Sequence, residues 1–131
     1  MRHAYVRFVT ADLDEDSGRR RGVFQAVADL AEAGELRDYE AEELQVLRQW
    51  FNDHLEAPGR FSRSRRSEAA PRAISWFKSS ATEHVRRMYM LCRILTEHGI
   101  PTETITSTRP GYVVVEDDHQ IAAIPFAETT T

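Results

Sequence analysis

Cysteine and long apolar runs are nearly absent from the sequence. Its 131 residues contain one cysteine, Cys92, which excludes a disulfide within the chain and favours a reducing compartment. No run approaches the roughly 18 consecutive apolar residues that a membrane-spanning helix needs. The first ten residues, MRHAYVRFVT, lack the apolar segment of a signal peptide. We therefore predict a cytoplasmic protein without membrane association.

Catalytic and nucleotide-binding motifs are also missing. The six glycines form neither a P-loop nor a G-x-G-x-x-G, and no G-x-S-x-G nucleophile motif occurs. Cys92 shares an apolar stripe with Met88 and Leu95, so we expect a buried side chain rather than an exposed thiolate nucleophile. No catalytic residue and no cofactor is predicted.

Two acidic segments could be taken for cation sites, but neither has the required pattern. The aspartates of DLDEDSG at 12–18 match the first ligand positions of an EF-hand loop. However, Ser17 occupies the position of the glycine and Val23 that of the bidentate glutamate. The segment EDDHQ at 116–120 offers carboxylates and an imidazole, but no second histidine at a ligand spacing accompanies it. Both segments are predicted to be turns without a metal.

The hydrophobic spacing predicts an α+β fold. Alternating apolar residues indicate strands, and apolar residues that recur every three or four positions indicate helices. In chain order we predict a strand at 4–10, a polar loop, and a helix at 22–33 that ends at Gly34. A second helix begins at its cap, Asp38, and is stopped by APG at 57–59, and a third helix covers 81–98. Three strands follow, with the sequences TETITST, YVVVED and QIAAIPF. Residues 73–78, AISWFK, fit either a strand or the start of the third helix, and we favour an extended segment.

This order of elements predicts a two-layer sandwich, with helices packed on one face of a mostly antiparallel sheet and a C-terminal β-meander. The sheet and helices should form one domain over 1–126, with 127–131 as a flexible tail. In RPGY, Pro110 and Gly111 suit the centre of a type II turn. Pro125 places the last strand at a sheet edge or ends it. The residues predicted to be mostly buried are Leu47, Phe51, Val85, Met88, Cys92 and Leu95.

Several segments resemble the conserved blocks of a family of small, uncharacterised bacterial proteins. These segments are GVFQAVADL, WFNDHL followed shortly by RF, AISWFKSSATEHV, and STRPGYVVVEDDHQIAAIPF. The resemblance covers most of the chain from Gly22 onward. It implies a stand-alone intracellular domain, and it implies no activity, cofactor or catalytic residue.

One basic segment stands out in an acidic chain. The segment GRFSRSRRSEAAPR at 59–72 has five arginines and one glutamate, so it carries +4 and leaves −8 for the rest of a chain whose net charge is −4. Its arginines are Arg60, Arg63, Arg65, Arg66 and Arg72. Such a segment can neutralise phosphates, and Phe61 or Trp76 could stack on a base. The alternative is a solvated loop without a partner, because basic residues are arginine almost throughout this chain.

Two functions follow from these features. The first is a small binding or regulatory module whose basic segment contacts an acidic partner, either nucleic acid or an acidic protein surface. The second is a small enzyme with a cleft between helices and sheet, where Arg109, Asp117, Asp118 and His119 would converge. The absence of a paired nucleophile and base favours the binding module. The sequence leaves the oligomeric state open.

Overall fold

A computed structural model describes residues 4–13, 20–55 and 73–127. These ranges contain six strands and three helices, which confirms the α+β class. The elements are β1 (Tyr5–Leu13), β2 (Arg20–Gly22), α1 (Val23–Glu32), α2 (Asp38–His54), β3 (Ile74–Lys78), α3 (Thr82–Glu97), β4 (Thr102–Ser107), β5 (Tyr112–Glu116) and β6 (Gln120–Ile124). Within these ranges, each helix is too short or too polar to cross a bilayer.

The strands form one sheet in the order β2-β1-β3-β6-β5, and β4 pairs with β1. The pairings β1–β2, β1–β3, β3–β6 and β5–β6 are antiparallel. The C-terminal strands are therefore present, but the predicted meander is wrong, because β4 pairs with β1 instead of its successor β5. β6 lies between β3 and β5 and ends at Ile124, immediately before Pro125.

The connection between β4 and β5 is not the predicted type II turn. Gly111 has a φ of 145°, which is far from the type II value of about 80°. A Cβ added at Gly111 would lie 2.1 Å from the carbonyl oxygen of Ile124. The glycine is therefore required by close approach to the end of β6, and it does not close a tight hairpin onto β4.

One compact unit contains the described residues 4–7, 55, 73–85 and 105–127. Its centre is β3, which pairs with β6 so that Ile74 lies opposite Ala123 and Trp76 opposite Ile121. All four of these residues are buried. The strand predicted over 73–78 is thereby confirmed: its aromatic and β-branched side chains alternate across a sheet, as the pattern favours.

The second compact unit contains the described residues 8–13, 20–54 and 86–104. It holds α1, α2 and most of α3, and its most deeply buried residues include Val9, Val27, Leu91 and Leu95. The amide of Glu35 donates to Leu30 O and that of Gly34 to Ala31 O, both at 3.1 Å. With a φ of 70° at Gly34, these bonds form a Schellman motif, and the predicted helix end is confirmed.

The first turn of α2 is capped differently from the prediction. The backbone N–H of Arg37 donates to Glu40 Oε1 at 2.9 Å, so Arg37 is the N-cap and Glu40 supplies one half of a capping box. Asp38, predicted as the cap, is the first helical residue. Its charge still lies in the first turn, where the helix dipole favours a carboxylate.

Two further predictions need correction. β1 continues to Leu13, and the polar residues Arg20–Gly22 form β2, although the sequence predicted a loop there.

Five of the six predicted core residues are buried, but Val85 is only half-buried. His84, at 4% exposure, is buried instead. It lies four residues before Met88, on the face of α3 that is buried.

Candidate functional site

The basic segment begins just after α2 and ends just before β3. Its five arginines and Phe61 lie outside the described residues, and their role in binding stays a prediction. The residues on either side of the segment belong to the folded chain. Leu55 is half-buried. Ala73 packs against the buried cluster of Val114, Val115 and Ala122.

Two side chains lie against the ring of Trp50 near the C-terminal end of α2. The ring of His54 lies parallel to that of Trp50, with centroids 4.3 Å apart. The guanidinium carbon of Arg87 lies 3.8 Å from the Trp50 ring centre. His54 and Arg87 therefore both cover part of the Trp50 side chain, which leaves it less accessible to a nucleobase.

Trp76, one of the two predicted stacking residues, is part of the core. Its side chain is 1% exposed, and the guanidinium carbon of Arg7 lies 5.8 Å from its ring centre. A base needs an accessible ring face to stack. The interpretation of Trp76 as a stacking platform is therefore not supported.

The described basic side chains are largely engaged within the protein. The ranges hold ten basic and fifteen acidic residues. Ion pairs connect Arg20 with Glu103, Arg21 with Asp29 and Asp12, Arg37 with Glu40, Lys78 with Glu116, and Arg93 with Glu43. Arg7, Arg87 and Arg109 lie over the rings of Trp76, Trp50 and Phe126. The described part of the chain therefore carries an excess of negative charge and few available cations.

The residues of the predicted cleft do not converge. Arg109 precedes β5, and its guanidinium carbon lies 4.9 Å from the ring centre of Phe126. Asp117, Asp118 and His119 follow the other end of β5. A five-residue strand is about 16 Å long. The arginine is thus held at one end of β5 and the two acids and the histidine at the other.

Asp117 has a structural role in the β5–β6 turn. Its Oδ1 accepts the backbone N–H groups of His119 and Gln120, at 2.7 and 2.9 Å. Its Oδ2 accepts Gln120 Nε2 at 3.2 Å. Aspartate favours turns because it makes such bonds to the following backbone, and the predicted turn is confirmed. Across the described ranges, no group of three or more His, Cys, Asp or Glu side chains is placed to hold a metal ion.

The fold supplies a second histidine that the sequence search missed. The rings of His84 and His119 are stacked, with centroids 4.4 Å apart and an interplanar angle of 26°. Phe77 lies 6.1 Å from His84. Nitrogen lone pairs lie in the ring plane, so stacked imidazoles do not converge on one metal ion. The pair instead packs the turn against the first turn of α3. The position of His84 four residues before Met88 was the signal that could have revealed its burial.

Cys92 is a packing residue, as predicted. Its side chain is buried, and burial raises the pKa of the thiol because the thiolate would lose its solvation. A raised pKa keeps the side chain in its uncharged and weakly nucleophilic form at neutral pH. This protonation state fits a small apolar side chain in the core rather than a nucleophile.

Comparison with known proteins gives no relative for this chain. No family model, curated protein or solved structure matches it. The resemblance to a bacterial family therefore stays a prediction, and function must be argued from the residues and contacts above.

Proposed function

We propose that the chain is a small binding or regulatory module whose basic segment, residues 59–72, contacts an acidic partner. The partner is nucleic acid or an acidic protein surface. The proposal rests on the net charge of +4 on this segment, against −8 on the rest of the chain.

Most basic side chains of the described residues already contact other groups of the same chain, and this supports the proposal. Five of the ten described basic residues form ion pairs with carboxylates of the same chain, and three more lie over aromatic rings. Side chains engaged in this way must give up a contact before they can bind a partner. The five arginines of the segment are therefore the main candidates for an external anion.

The same geometry gives the enzyme alternative no support. The predicted cleft requires Arg109 to meet the acids and histidine of the β5–β6 turn, and these groups lie at opposite ends of β5. Both carboxylate oxygens of Asp117 are also used by the turn itself. A binding role needs no such convergence of side chains.

The test is a binding comparison among charge-matched variants. Labelled random-sequence DNA, single- and double-stranded, and poly-glutamate serve as probes at low salt. We expect R63A/R65A/R66A to lose most of the affinity of the parent for one of these probes. The lysine variant R63K/R65K/R66K reports whether charge alone suffices, because lysine lacks the bidentate fork of arginine.

A variant with the same change in net charge serves as the control. R86A/R93A/R109A removes three exposed arginines that lie outside the segment and should bind as the parent does. The proposal fails if the parent binds none of the probes at low salt. It also fails if the two triple alanine variants lose affinity equally, because then net charge alone, and not the segment, would set the binding.

A further inference from the structure

A groove lies between α1 and the first half of α2, within the second compact unit. Its volume is about 470 Å³, which falls in the range of small-molecule sites. Four apolar residues contribute most of its wall, namely Ala31, Leu36, Ala41 and Leu44. Two polar residues, Gln45 and Arg48, complete the lining together with Gly34.

Small side chains keep this groove open. Ala31 and Ala41 contribute one carbon each, and Gly34 contributes none. The position that a Cβ would take at Gly34 has no other atom within 4 Å. Of the larger residues, Leu44 is buried at 5% exposure and forms part of the floor. The small residues at these three positions leave the space between the end of α1, the connection and α2 unfilled.

The groove changes character along α2. Ala41, Leu44, Gln45 and Arg48 follow one another at helical intervals and so lie on one face. Arg48 is seven residues beyond Ala41, which is about 10 Å along the helix axis. One end of the groove is therefore apolar, and the other carries a guanidinium and an amide.

Arg48 differs from the other described basic residues in having no partner within the described ranges. The other nine include the five ion-paired side chains and the three that lie over rings. Arg86 also interacts with another group. Arg48 is exposed, so its five N–H donors are open to an anion at the edge of the groove.

We propose that this groove binds a small amphiphilic carboxylate. The apolar part of the ligand would lie on Ala41 and Leu44, and the carboxylate would accept hydrogen bonds from Arg48 and the Gln45 amide. A carboxylate matches the guanidinium fork. A dianionic phosphate fits less well, because one guanidinium would face it in a region where acids outnumber basic residues. The inference is independent of the basic segment, and either can fail without the other.

The first test compares headgroups on one tail with the unaltered protein. Octanoate, octanol and octylammonium are titrated below micellar concentration, and backbone amide shifts are followed by NMR. We expect octanoate to bind with shifts centred on residues 31–48. Octanol should bind up to about fivefold more weakly, as the loss of one exposed charge-assisted contact implies. Octylammonium should bind more weakly still.

Variants of exposed residues then assign the contacts. R48A should reduce octanoate affinity to that of octanol, and R48E should reverse the order of octanoate and octylammonium. A41F should fill the groove and weaken all three ligands. R93A is the control, because Arg93 is an exposed arginine of α3 that pairs with Glu43, and it should bind octanoate as the parent does.

The proposal is wrong if octanoate produces no saturable shifts in the unaltered protein, a result that does not depend on any variant folding. It is also wrong if octanol binds as tightly as octanoate, or if R48A and R93A have equal effects on octanoate. Shifts centred outside residues 31–48 would assign the ligand to a different surface and overturn the proposal as well.

Discussion

At the scale of single residues, the most unusual group is the buried carboxylate of Glu40. Its side chain is fully buried. Oε1 accepts the backbone N–H of Arg37 and lies 2.9 Å from His98 Nε2. The Arg37 amide, followed by the His98 side chain, lowers the pKa of Glu40 because both favour its charged form. These two hydrogen bonds compensate for the burial of Oε1, whereas Oε2 lies 3.9 Å from Arg37 Nη1, beyond hydrogen-bond distance.

The lowered pKa of Glu40 has a consequence for stability against pH. A carboxyl group with a lower pKa in the folded state stabilises the fold fully above its unfolded pKa, which is about 4.3. This contribution is lost as the pH falls through the lower, folded pKa. We expect E40Q to be less stable than the parent at pH 7, and the difference should shrink steadily below about pH 5.

Urea unfolding at a series of pH values from 7 to 3 measures this difference. E42Q is the control, since Glu42 is exposed on the same helix, and its stability should follow the parent throughout. A difference between E40Q and the parent that stays constant across the series would show that the charge of Glu40 does not contribute.

Met88 tests the core of α3. Its side chain is 2% exposed, and truncation to alanine leaves a cavity that its neighbours fill only partly. M88A should lower the free energy of unfolding by about 2–5 kcal/mol. Met90 lies on the same helix but is half-buried, so M90A should cost clearly less. Equal losses in the two variants, measured by urea unfolding, would mean that the buried face of α3 is assigned wrongly.

At the scale of elements, the helices were the more predictable part of the fold. α1 and α2 occupy nearly the predicted ranges, because their apolar residues repeat every three or four positions and turn residues follow both. The buried face of α3 was less certain. Either Val85 or His84 can lie on the same helix face as Met88 and Leu95, because both have the required three- or four-residue spacing from Met88. The sequence prediction placed Val85 on the buried stripe, whereas the structure buries His84. The ring of His84 stacks on that of His119, which is remote in sequence.

Strand pairing was predictable only where it is local. The β5–β6 turn could be predicted from EDDHQ because an aspartate side chain accepts backbone N–H groups of the residues that follow it. The pairing of β4 with β1 joins segments about ninety residues apart, and no local pattern specifies such a partner. β2 has three residues, RRG, and is too short and polar to show alternation.

The β5–β6 turn also gives a prediction about metals. Both oxygens of the Asp117 carboxylate are engaged by His119 and Gln120, so a cation would have to compete with bonds that hold the turn. Calcium, magnesium and zinc should therefore leave the melting temperature unchanged. A metal that bound only the folded state at a hundred times its Kd would add about 2.7 kcal/mol.

Differential scanning calorimetry with and without each ion measures this. D118A and H119A serve as controls for any stabilisation that does occur. A clear rise in melting temperature that both substitutions abolish would show that the turn binds a cation.

At the scale of the whole molecule, charge separation is the feature with the clearest functional meaning. Composition alone located the basic segment and its +4 charge. It could not reveal that most other described cations are engaged internally, because ion pairs such as Arg20–Glu103 and Arg93–Glu43 join remote elements. The groove beside Arg48 was equally hidden, since it depends on which helix faces meet.

The salt dependence of binding provides the last prediction. If the basic segment engages a phosphate backbone, each bound arginine releases counterions and steepens the slope of log affinity against log salt by about 0.7 to 0.9. R63A/R65A/R66A should then flatten that slope by about two to three, and by the same amount for every nucleic-acid sequence. Titration of labelled DNA over a range of salt concentrations gives the slope for the parent and the variant.

Urea unfolding of the same variant distinguishes loss of contacts from loss of folding. If these arginines act in binding and not in folding, its stability should be within a few tenths of a kcal/mol of the parent. An unchanged slope with weaker binding would contradict the phosphate contacts, since it would require a loss of affinity without any loss of counterion release. If poly-glutamate then binds the parent but not the variant, the segment recognises acidic protein surfaces instead.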